Sequence, residues 1–89
     1  MCRNIRPLNN LAPPATDEEV RDAALQYVRK VAGTRSPSRA NQDAFDAAVT
    51  AIEVATRELV DSLVTGAQPR TREEMAAAAR ARSAARYAS

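Results

Sequence analysis

The large apolar side chains of this chain all but stop at residue 66. Of the 20 hydrophobic residues bigger than alanine, 13 lie between positions 16 and 66, five in the first fifteen positions, and only Met75 and Tyr87 beyond. A core must therefore be built in the middle of the chain. The 45% hydrophobic fraction looks generous for 89 residues, but its other half is 20 alanines, which cluster most densely in the tail. Each alanine methyl contributes about a third of what a buried leucine would.

At this length one small domain spans the chain, residues 1–89, and a multi-domain enzyme is excluded. The lone Cys2 cannot close an internal disulfide, and without histidine there is no intramolecular structural zinc site to expect. Folding rests on packing or on a partner. No run of about 18 apolar residues and no signal-peptide core appear, so the expectation is a soluble cytoplasmic protein without a membrane partner.

The middle region divides into helices by its own punctuation. Residues 1–15 contain Pro7, Pro13 and Pro14, which deny a continuous helix, and Ile5, Leu8 and Leu11 recur every third position. This reads as an extended arm that lays three side chains on something. Thr16-Asp17-Glu18-Glu19 is a capping box, and Arg29, Lys30 and Gly33 suit the far end of the same helix, giving helix 1 over 16–33. Its apolar stripe is Val20, Ala24, Tyr27 and Val31, with Val28 on the flank. Tyr27 is expected as a core aromatic with its hydroxyl at the edge.

Ser36 as N-cap and Pro37 at the first helical position open helix 2, and Gly66 closes it, giving 36–66. Phe45, Val49, Ile52, Thr56, Leu59 and Leu63 share one face, the strongest periodic signal in the chain. A second capping box, Thr71-Arg72-Glu73-Glu74, begins an alanine-arginine helix over 71–88 with high propensity and little to bury. Ala77, Ala81, Ala84 and Ala88 line one side of it. Nothing alternates with period two over a strand's length, so the class is all-α: an antiparallel hairpin, an extended arm and a third helix in a small three-helix bundle. The far end of helix 2, around Leu59, Leu63 and Val64, needs cover from the tail helix or a second chain. Two hairpins pairing as a four-helix bundle would supply it.

The opening Met1-Cys2-Arg3-Asn4-Ile5 resembles that of a family of small bacterial helical proteins of unknown function. The similarity continues through Pro13-Pro14-Ala15-Thr16, Ala23 to Lys30, Pro37-Ser38, Ala40-Asn41 and the Arg-Ala-Arg tail. It implies a cytoplasmic bacterial helical protein and carries no activity, cofactor or site residue.

Two constellations could carry function. Charge is uneven: residues 34–66 sum to −2 and residues 67–89 to +3, and 12 of the 13 cations are arginine. Arg70, Arg72, Arg80, Arg82 and Arg86 could neutralise phosphates or meet a partner's carboxylates, which suits an RNA- or ribosome-associated protein or a partner-docking helix. Few aromatics interleave them and Glu73 and Glu74 share the segment, which favours protein over nucleic acid. The other is Cys2. If the initiator methionine is removed, its amine and thiol form a two-ligand chelate, with Arg3 and Arg6 favouring thiolate. Such a group could bind a soft metal or haem or enter redox exchange; the simpler reading is a free thiol on the arm.

The carboxylates offer no catalytic pair. Asp17, Glu18, Glu19 and Asp22 serve the cap and dipole, and Asp43 and Asp46 a solvated face. The leading expectation is a non-catalytic adaptor, not an enzyme, that engages a protein partner or a second copy of itself and carries no resident cofactor.

Overall fold

A computed structural model of the chain describes residues 5–88, so Cys2 and the rest of the opening motif before Ile5 lie outside the described residues. The fold is all-α. Helix α1 is Asp17–Ala32, α2 is Gln42–Ser62 preceded by a 3-10 turn over Arg39–Asn41, and α3 is Arg72–Ala88.

Both ends of α1 are made by local chemistry. The Thr16 hydroxyl accepts from the Glu19 amide at 3.1 Å, and Glu19 Oε1 accepts from the Thr16 amide at 2.9 Å. Gly33 closes the helix in the left-handed region at φ 73°, its N–H donating to the Arg29 carbonyl at 3.0 Å. A side chain there would be strained by that φ alone.

Helix α2 is shorter than the 36–66 expected. Ser36 does not cap it, because the Thr34 hydroxyl donates to the Ser36 carbonyl at 2.8 Å and holds a local turn, so helical backbone begins only at Arg39. At the other end Leu63 is already extended, ψ 135°, three residues before Gly66. The last turn has no basic side chain to meet its carbonyls, and β-branched Val64 and Thr65 follow. The Thr65 hydroxyl then accepts from the Ala67 amide at 3.1 Å, and the chain turns toward the arm.

Ion pairs fix the direction of the hairpin: Asp17 meets Arg57 at 2.9 Å and Arg21 meets Glu53 at 2.9 Å, so α1 and α2 run antiparallel. Between them Ala24 and Val28 pack with Phe45 and Val49, flanked by Leu25, Ala48 and Ile52, while Val20 is also buried. The buried line on α1 follows the four-residue ridge Val20, Ala24, Val28, and this corrects the stripe read from the wheel. Tyr27 is 48% exposed and Val31 69%, so Tyr27 is not a core aromatic. Ridge packing buries a narrow band, and Ala24 between Val20 and Val28 lets the helices approach along it, leaving Tyr27 to one side.

The arm is drawn to the segment before α3. The Ala12 amide donates to the Arg70 carbonyl at 2.9 Å and the Arg70 amide to the Asn10 carbonyl at 3.0 Å, a single parallel bridge. Asn10 takes φ 58°, and its amide group donates to the carbonyls of Ala67 and Gln68 at 3.2 and 3.1 Å. Leu11 and Ala15 are buried, Ile5 and Leu8 half-buried. The Ala12–Pro13 peptide is cis.

The third helix is held at its first turn rather than along its length. Thr71 and Glu74 form the second capping box, each accepting from the other's amide at 3.1 Å. Beyond it Ala77, Ala81 and Ala84 are exposed, so the alanine side does not cover the hairpin. Leu59, Leu63 and Val64, expected to be covered, are 57%, 46% and 96% exposed.

Candidate functional site

Two guanidinium groups organise the end of the molecule where arm, hairpin and tail meet. Arg72, the first residue of α3, reaches Glu19 with a two-pronged contact, Nε to Oε2 at 2.8 Å and Nη2 to Oε1 at 2.6 Å. The same guanidinium donates to the carbonyls of Pro13 at 2.8 Å and Pro14 at 3.3 Å. These carbonyls have no helix to accept from, and a five-donor fork satisfies both while neutralising the carboxylate that caps α1. Arg57 on α2 repeats the arrangement, donating to the Ala15 carbonyl at 3.2 Å, Asp17 at 2.9 Å and Asp61 at 3.2 Å.

The electrostatics follow. Hydrogen bonds from Arg72 first, then from the Thr16 backbone, hold Glu19 down at about 2 from an ordinary 4.5. Glu19 in turn raises Arg72. Glu74 is lowered as well, chiefly by the Thr71 amide of its own cap. The charged groups of this corner tie the arm and the first turn of α3 to the hairpin.

Of the arginines that the sequence offers for phosphate or partner binding, Arg72 is engaged within the chain by Glu19 and the Pro13 and Pro14 carbonyls. Arg70 lies in the bridge to the arm, with its backbone engaged. Arg80 and Arg82 are exposed, one on each flank of the alanine face, without a partner among the described residues, and Arg86 is exposed further on.

The second surface is apolar. Along the open side of the hairpin, exposed Tyr27 and Val31 from α1 face Ala44, Ala48 and Ala51 from α2 across a groove floored by Val28, Phe45 and Ile52. On the wheel Ala55 and Leu59 continue the α2 side, and Glu58 stands at its outer edge. The other acids of α2 lie around the helix: Asp46, Glu53 and Asp61 meet Gln42, Arg21 and Arg57. An apolar strip low in charge with a polar rim has the anatomy of a polypeptide interface. Val54, 54% exposed and isolated, needs no such account.

Among the described residues no three His, Cys, Asp or Glu side chains lie together so as to hold a metal ion, and no helix is long and apolar enough to cross a membrane. The Cys2 chelate falls on residues that are not described.

An all-α hairpin with a clamped arm and a projecting third helix is thus the class that fold and surface define. The chain belongs to the family of uncharacterized conserved proteins DUF2277, whose model matches residues 1–78. No curated protein and no solved structure matches it. The match takes in the arm, both clamping arginines and the groove, and ends within α3 before Arg80.

Proposed function

We propose that this protein is a non-catalytic interaction module of the cytoplasm, a helical adaptor that receives another polypeptide on the open side of the α1–α2 hairpin. The observation that carries the reading is the exposed apolar strip, with Tyr27, Val31 and Leu59 each about half exposed or more on a hairpin that is otherwise tightly ion-paired. Exposed apolar groups of this size on one side of a hairpin are the kind of patch that soluble proteins keep for binding. The clamped corner supports it by giving the hairpin a fixed shape.

Affinity capture from the native cell tests the proposal, with the full chain and its Tyr27→Glu/Val31→Glu variant as baits. Both positions are exposed, so the variant keeps its helicity by circular dichroism. A protein held by the full chain, lost with the variant and indifferent to nuclease is the expected result. Identical capture by both baits, or retained RNA whose binding falls steeply with salt, overturns it and turns attention to Arg80, Arg82 and Arg86.

A further inference from the structure

We infer that the polypeptide received in the groove is α3 of a second copy of this chain, laid there reciprocally by two-fold symmetry. The inference rests on the interaction-module reading and names its partner. Charge supplies the first argument: Glu58 stands at the edge of the α2 strip without a partner among the described residues, whereas α3 beyond Glu74 carries three arginines and no acid. The two elements attract, yet within one chain they do not meet.

The reason they do not meet is the clamp. Arg72 is tied to Glu19 and to the Pro13 and Pro14 carbonyls, and Ala77, Ala81 and Ala84 lie on the opposite side of the helix, exposed. The same contacts that anchor the first turn thus turn the alanine face outward.

Shape is the second argument. A helix faced with alanine can approach an alanine-lined groove closely, and Arg80 and Arg82 then fall on its two flanks, with Glu58 at the groove's outer edge and without a partner among the described residues. The exposed α2 face from Ala44 to Leu59, of which the groove is the first part, is about 24 Å long and α3 about 25 Å, so the two faces match in length. Two-fold symmetry makes the contact twice, which matters because alanine contributes little per residue.

Sedimentation of the full chain under reducing conditions, with variants, decides the matter. The expected result is a reversible dimer at tens of micromolar that Ala81→Glu converts to monomer; glutamate is a good helix former and the site is exposed, so helicity is retained. Glu58→Arg alone and Arg80→Glu/Arg82→Glu alone each weaken the dimer about tenfold, and the triple variant regains most of it. A wild-type monomer throughout, or a dimer indifferent to Ala81→Glu and to the charge reversals, overturns the inference. A monomer that still captures a partner through Tyr27 and Val31 sinks only this inference and leaves the interaction module standing.

Discussion

Helices α1 and α3 are opened by the same device and then treated differently by the rest of the molecule. Each starts at a threonine whose hydroxyl accepts from the third-residue amide while a glutamate reaches back. After that first turn α1 buries Val20, Ala24 and Val28 against α2, while α3 offers alanines that bury little. A cap decides where a helix begins. Side-chain volume decides whether it becomes part of a core, and the comparison separates the two contributions within one chain.

The largest effect should come from breaking the packed side. Val49 is 2% exposed between the helices, and Val49→Asp places a carboxylate where nothing can solvate it, at a cost of about 4 kcal/mol or more. For a domain of this size that is enough to lose cooperative unfolding in a thermal melt. Ala84→Glu, the matching change on α3, should change the hairpin's stability by less than about 0.5 kcal/mol at concentrations too low for the chain to pair.

Next in size is the link between the two helices. Arg72→Met removes the two-pronged contact to Glu19 and the donors to Pro13 and Pro14, and should release the arm and the first turn of α3 from the hairpin. Hydrogen exchange should quicken in residues 10–15 and in the first turn of α3 while the Ala24 and Val49 amides keep their protection. Arg72→Lys should recover only part of this, since one ammonium cannot serve three acceptor groups in a plane.

The caps themselves sharpen the contrast. Thr16→Ala should lower the denaturation midpoint of the hairpin by about 1 kcal/mol, because the cap it breaks belongs to a packed helix. Thr71→Ala breaks an equivalent cap, yet it should show as reduced helical signal from α3 with the hairpin midpoint unmoved. Equal shifts for both would mean that α3 is part of the cooperative unit.

The smallest effect is that of acid. Glu19 is a stronger acid in the folded chain, at about 2 against 4.5, so below pH 4.5 the unfolded chain binds the proton first. The stability from its pairing is complete above 4.5 and is lost as pH falls toward 2. The pair is partly exposed, so the loss should stay under about 1 kcal/mol, and Glu19→Gln should abolish that part of the acid slope in a urea titration.

What was legible in the sequence shares a short range. Thr16 and Glu19, Thr71 and Glu74, and Arg29 and Gly33 act on one another across three or four positions, so their residue types announce them. The start of α2 was misread for a related reason: Ser36-Pro37 is a good cap in isolation, but the Thr34 hydroxyl takes the Ser36 carbonyl first. The candidate groove was half legible. Phe45 and Ile52 on its floor follow from periodicity, but a wheel cannot say which of two neighbouring ridges the partner helix will choose, so Tyr27 and Val31 read as core residues.

The sequence by itself determined an all-α chain, the caps that start α1 and α3, the glycine stop of α1 and the lean supply of large side chains that leaves α3 with little to bury. Only the tertiary structure decided what Arg57 and Arg72 do, because, apart from Asp61 one turn beyond Arg57, their acceptors lie some forty to sixty residues away and no local spacing encodes such a meeting. Arginine looks the same in a sequence whether it waits for a partner or ties its own chain. Folding distinguishes them, by bringing orphaned proline carbonyls and a capping carboxylate to one guanidinium and leaving Arg80 and Arg82 in solvent.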